Sequence, residues 1–117
     1  MLDELKEITP GEFLLWLLRL RRRLRVTGTS MLPLLKPGQE VLVNPRAYRQ
    51  VPPCPGDIVV ARHPYHTDLQ LIKRVVAITD DGRCHLEGDN PNESTDSRTF
   101  GAIPVSTILG RVTSRFG

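Results

Sequence analysis

The distribution of apolar positions divides the chain near Val26. Before that point, Thr9-Pro10-Gly11-Glu12 signals a helix start: Thr9 caps, Pro10 suits the first helical position, and Glu12 completes a T-x-x-E capping box. Phe13, Leu17, Leu20 and Leu24 then recur at i, i+4, i+7 and i+11. This spacing predicts one apolar stripe on a helix running to about Leu24, with Arg19, Arg22 and Arg23 on other faces. Beyond Val26, short apolar runs set between Pro and Gly predict strands. Glu40–Val43 follows Pro37-Gly38, and Ile58–Ala61 follows Pro55-Gly56-Asp57. Leu69–Thr79 is the longest apolar run, and Asp80-Asp81-Gly82 turns it into Arg83–Glu87 as a hairpin. Ile103–Val105 and Ile108–Val112 close the chain. The expectation is a mainly β fold of short antiparallel strands at 26–117, preceded by one N-terminal basic amphipathic helix within 1–25.

Size and charge narrow the picture. At 117 residues the chain suits one domain and excludes a multidomain enzyme or a repeat array. It carries 16 Lys and Arg against 13 Asp and Glu, a net charge of +3. Five arginines lie in Arg19–Arg25 with no acid among them, so the rest of the chain holds 11 basic and 13 acidic residues. A basic β module for nucleic acid is therefore the alternative reading, and it is disfavoured. Its cations are confined to one run, and an aromatic content of 5% is thin for base stacking. The arginine helix is expected to pack its leucines on its own domain and solvate its arginines. Its other reading is peripheral docking of residues 13–25 on anionic lipid or on a partner.

The most apolar stretch, Phe13–Leu18, is six residues long, whereas a spanning helix needs about 20. Residues 1–10 are acidic and polar, unlike a secretory signal. Two cysteines, Cys54 and Cys84, read as free thiols in a reducing compartment, which implies a cytoplasmic location. With His63, His66 and His85 they form no recognised zinc spacing, so neither a metal nor a cofactor is expected.

Three segments carry candidate chemistry. In a strand, Lys73 shares a face with Leu71, Val75 and Ala77, while Arg74 shares the other with Ile72, Val76 and Ile78. An arginine among apolar neighbours stays charged and needs an anion. A lysine there can instead lose its proton through desolvation and become a general base, or it can snorkel to water. Ser30 follows Gly28 and precedes the apolar turn Met31-Leu32-Pro33, where a serine either bonds its own backbone or stands exposed as a nucleophile. Gly88-Asp89-Asn90 runs on to Ser94-Thr95-Asp96-Ser97-Arg98, polar and bounded by glycines.

Taken together and in order, these segments resemble the boxes of the type I signal peptidase family of Ser/Lys proteases. Ser30-Met31-Leu32-Pro33 is similar to the nucleophile box and Lys73-Arg74 to the base box. Gly88-Asp89-Asn90…Ser94-Thr95-Asp96-Ser97-Arg98…Gly101 is similar to the third, and Gly56-Asp57 resembles a further short one. The resemblance implies a signal-peptidase-like catalytic core with Ser30 as nucleophile and Lys73 as general base. It also implies that Ser94 orients the lysine, and that Arg74, Asp96 and Arg98 form a structural charge cluster in which Asp96 pairs with Arg74. The oxyanion hole would use the Ser30 backbone N–H. The assisting hydroxyl that many members carry two residues earlier is replaced here by Gly28. The compact form of these boxes looks like the nickel-type superoxide dismutase maturation proteases. That narrower likeness implies a dismutase precursor as protein substrate, cleaved to remove a short N-terminal propeptide, with no metal held by the protease.

Overall fold

The computed structural model describes residues 5–93 and 95–116. Helix α1 (Pro10–Leu17) leads into strands β1 (Arg22–Arg25), β2 (Glu40–Asn44), β3 (Ile58–Arg62), β4 (Gln70–Ile78) and β5 (Arg83–Glu87). A short helix α2 (Ser97–Phe100) then precedes β6 (Ile103–Pro104) and β7 (Ile108–Phe116). All pairings between these strands are antiparallel, in one sheet of order β1-β2-β7-β3-β4-β5-β6. The mainly β expectation holds. Expected strands match closely at β3, β4 and β5, while β6 stops one residue early and β7 continues past Val112 to Phe116.

Strand β3 explains the sheet's two cores. Its side chains alternate, sending Ile58 and Val60 into one cluster and Val59 and Ala61 into another. A strand covered on both faces reads as an unbroken apolar run, as Ile58-Val59-Val60-Ala61 does. The first cluster gathers Val26, Met31, Leu35, Val41, Val43 and Val112 with Ile58 and Val60. The second gathers Val75, Cys84, Leu86 and Ile103 with Val59 and Ala61. Strand β7 joins the two halves of the sheet by pairing with both β2 and β3, and its register shifts on each side. At the crossing sits buried Gly110, where a Cβ would lie 2.6 Å from the Asn44 carbonyl oxygen.

The arginine-rich segment departs from expectation. The helix ends at Leu17, not near Leu24, and Arg19 takes a positive φ of 64° that turns the chain. Arg22–Arg25 is a strand paired with β2, Leu24 opposite Val41 and Arg25 opposite Glu40. Leu20 and Leu24 satisfy a helical spacing, but Leu24 and Val26 equally satisfy a period of two. Pairing with β2 decides between them. Glu40 accepts from both Arg23 and Arg25 across this pair, and Arg23 lies over the rings of Trp16 and Phe116. The capping box is also only half formed. Thr9 caps the Glu12 N–H at 3.2 Å, whereas the Glu12 carboxylate pairs with Arg21 and accepts from Thr113. α1 packs on the domain only in part: Leu15 and Trp16 are half-buried, Trp16 against Phe116, while Phe13, Leu14 and Leu17 are exposed.

Candidate active site

Ser30 is held from two sides. After Gly28, whose φ of +75° suits a residue without a Cβ, the chain enters a turn in which Met31 and Leu35 are fully buried in the first cluster. Those side chains anchor the segment from below. From the side, the Asn90 N–H donates to the Ser30 carbonyl at 2.8 Å, and Asn90 Nδ2 donates to the Thr29 carbonyl at 3.1 Å. The Ser30-Met31 and Gly88-Asp89-Asn90 boxes, far apart in sequence, are thus one hydrogen-bonded unit.

Lys73 lies mid-strand in β4, opposite Val59, and only 3% of its surface is exposed. Desolvation pulls its pKa below the ordinary lysine value. The negative field of Asp96 opposes that shift, and the Arg98 guanidinium adds to it. Ser30 and Lys73 line one cleft of about 320 Å³, walled by Leu24–Thr27 on one side and Leu69–Ile72 on the other. Both walls carry free strand edge. Strand β1 ends the sheet, and β4 pairs with β5 only from Arg74 onward. Wider pockets of about 470 and 680 Å³ touch neither Ser30 nor Lys73, so chemistry and not volume locates the site.

The charge cluster has different partners from those expected. Arg74 forms a bidentate pair with Asp89, both contacts 2.9 Å, and reaches the Gly56 carbonyl at 3.3 Å. Asp96 pairs with Arg98. The expected Asp96–Arg74 pair is therefore corrected: Arg74 and Asp96 each have a nearer ionic partner. Asp96, fully buried, also caps α2 through the Arg98 N–H and accepts from the Gly88 N–H at 2.8 Å. Ser97 Oγ accepts from the Leu86 N–H at 2.8 Å, tying α2 to β5. Ser94, expected to orient the lysine, lies outside the described residues. Asp57 of the short fourth box accepts from the Tyr48 hydroxyl at 2.7 Å and from the Cys54 N–H at 3.0 Å. Its role here is to brace the approach to β3. The connecting roles of Asp89 and Asn90 were missed in sequence, where Asp-Asn after a short strand signals only a turn.

A buried lysine and a turn serine in one cleft, braced by these four boxes, agree with the comparison of the whole sequence. The pattern of the family described as signal peptidase, peptidase S26, matches residues 12–82 and 79–116. The chain belongs to this family. It is 35% identical to the mitochondrial ATP-independent inner membrane protease subunit 1b of Arabidopsis thaliana, over 73% of this chain and 63% of the plant protein. It is 32% identical to the mitochondrial inner membrane protease subunit 2 of Danio rerio, over 74% and 59% of the two chains. Identity to a probable signal peptidase I-1 of Synechocystis is 27%, over 78% and 68%. The chain spans about half to two thirds of the length of the curated relatives it matches. No described helix is long and apolar enough to cross a membrane.

Proposed function

We propose that this protein is a serine endopeptidase working through a Ser30/Lys73 dyad. The observation that carries the reading is a lysine buried to 3% exposure, with a lowered pKa, sharing a cleft with a serine held by its own backbone. Neutral Lys73 takes the Ser30 Oγ proton as that oxygen attacks the scissile carbonyl. The ammonium then protonates the leaving amine, and Lys73 next takes a proton from the water that hydrolyses the acyl-enzyme. The Ser30 N–H, which has no acceptor among the described residues, is the backbone donor for the oxyanion. An extended substrate adds as a strand between the free edges at Leu24–Thr27 and Gln70–Ile72. Within the family, the compact boxes favour propeptide removal from a nickel-type superoxide dismutase precursor. The test is incubation with that precursor and with an unrelated signal-bearing precursor. Cleavage of the first at its propeptide junction, lost in Ser30→Ala and Lys73→Ala, is the expected result. Equal cleavage by either variant would sink the dyad, and cleavage of the unrelated precursor alone would sink the substrate.

One further reading concerns location. Phe13, Leu14, Leu17 and Leu18 are 44–60% exposed on and just after α1, beside Arg19 and Arg22. Apolar side chains flanked by cations suit the boundary of an anionic bilayer. Sedimentation with phosphatidylglycerol vesicles, lost in a Leu14→Ser/Leu17→Ser variant, is expected. Equal sedimentation of the two proteins would remove it.

A further inference from the structure

His63 opens the connection between β3 and β4, and the mechanism above does not use it. It is buried, although its neighbours Tyr65, His66, Thr67 and Asp68 are exposed. Its Nδ1 accepts two backbone hydrogen bonds, from the Tyr65 N–H at 3.0 Å and from the His66 N–H at 3.1 Å. Two converging N–H donors require a lone pair at Nδ1, so the ring is neutral with its proton on Nε2. An asparagine or aspartate commonly does this in a turn; here an imidazole does. The backbone of His63 completes the turn by donating to the Leu69 carbonyl at 2.9 Å, and the Leu69 N–H donates to the His66 carbonyl at 2.8 Å.

Leu69 lines the cleft immediately before its free edge, which begins at Gln70. The other side of the His63 ring meets the edge of Phe100 on α2, centroids 5.2 Å apart, and α2 carries the Asp96–Arg98 pair beside Lys73. One buried ring therefore touches both the turn that leads into the substrate edge and the helix capped by Asp96, whose field acts on Lys73. A metal reading of His63-x-x-His66 fails here because Nδ1 is occupied, and among the described residues no third ligand joins the pair.

We propose that His63 is a positioning residue for cleavage: its unprotonated Nδ1 staples residues 63–69 and so sets the register of the Gln70–Ile72 edge against substrate. This rests on the extended-substrate reading above. Protonation at Nδ1 would remove the acceptor and place an N–H against two N–H groups. The titratable and charged groups around the ring are His66 and Tyr65, whose rings lie within 4.8 and 6.1 Å, and Asp68 on the same turn. On α2 there is Arg98, already committed to Asp96. Among the described residues no acid pairs with the ring. Burial, with His66 adding to it, holds the His63 pKa below the ordinary imidazole value, in keeping with a neutral acceptor.

The test compares His63→Ala with His63→Asn on a peptide spanning the precursor's propeptide junction, alongside amide NMR of the wild type in acid. Loss of two turn hydrogen bonds at the substrate edge should raise KM about tenfold in the alanine variant and leave kcat within about twofold. The asparagine variant, which keeps an acceptor, should restore most of KM. In the wild type, the Tyr65 and His66 amide resonances should shift together as His63 titrates. Unchanged KM in a folded His63→Ala, no rescue by asparagine, or Tyr65 and His66 amides indifferent to that titration would each overturn the staple. If the wild type itself fails to cleave, the protease reading falls, and the amide titration still decides whether the staple exists.

Discussion

The cluster around Met31 and Leu35 and the cluster around Val59, Val75 and Leu86 are separated by one strand, β3, yet they support different halves of the site. Ser30 hangs from the first by Met31 and Leu35, which lie one and five residues beyond it. Lys73 lies opposite Val59 and two residues before Val75, both in the second. The proposed nucleophile is thus carried by an irregular turn whose position depends on packing, and the proposed base by a strand whose position depends on a hydrogen-bonded ladder. A turn can move without unfolding; a central strand cannot. The serine half should therefore be the more sensitive of the two to loss of a supporting side chain.

The largest expected effect lies in the dyad itself, where the two halves should differ in stability and not in activity. Ser30→Ala and Lys73→Met should each lower kcat/KM by about 10³-fold or more. Lys73→Met should also melt no lower than wild type at pH 7. The sign follows from linkage. A lysine whose folded pKa is depressed adds stability only above its unfolded pKa, about 10.4, and that contribution is lost as pH falls through the folded value. At pH 7 the buried amine is a cost, and removing it relieves that cost. Cleavage should rise with pH along a limb whose midpoint lies below the ordinary lysine value. A midpoint at or above that value would mean that Lys73 is not the base.

Met31→Ala and Leu86→Ala then compare the two clusters directly. Each removes a fully buried side chain and should cost about 2–5 kcal/mol by urea unfolding. Measured on the folded fraction, Met31→Ala should lower kcat about tenfold through misplacement of Ser30, and Leu86→Ala should leave it nearly unchanged. Equal kcat values would show that the turn is held by Asn90 and not by the core. Smaller still, Gly110→Ala should cost about 1–3 kcal/mol, because its Cβ would press on the Asn44 carbonyl where β7 links the two clusters. It should lower stability without favouring either half, and a change in kcat alone would place the strain at the cleft.

Much of this was legible along the chain, for reasons that differ by segment. β3, β4 and β5 were readable because their apolar runs and turn residues are local signals. The boxes were readable only through the family resemblance, since one of them alone reads as a solvated loop; the structure adds the cap that Asp96 makes on α2 while bonding Gly88. The end of α1 was not, since Leu20 and Leu24 fit both periods and only the partner strand β2 separates them. The choice of Asp89 over Asp96 for Arg74 was not either, because both carboxylates lie in the same polar segment. His63 was dismissed with the failed metal spacing, and the work of its Nδ1 is visible only once Tyr65, His66 and Phe100 are placed around it.

By itself, then, the sequence determined the strand-rich fold, because that depends on residue type and short spacing. It offered Ser30 and Lys73 as candidates through the resemblance of the ordered boxes to the signal peptidase family. The tertiary structure decided where the helix stops, which acid answers which arginine, and how Asn90 bonds the serine turn. It also decided that a lysine mid-strand is buried and not snorkelling. Each of those is a competition between partners distant in sequence, settled by which of them the folded sheet brings within hydrogen-bonding reach.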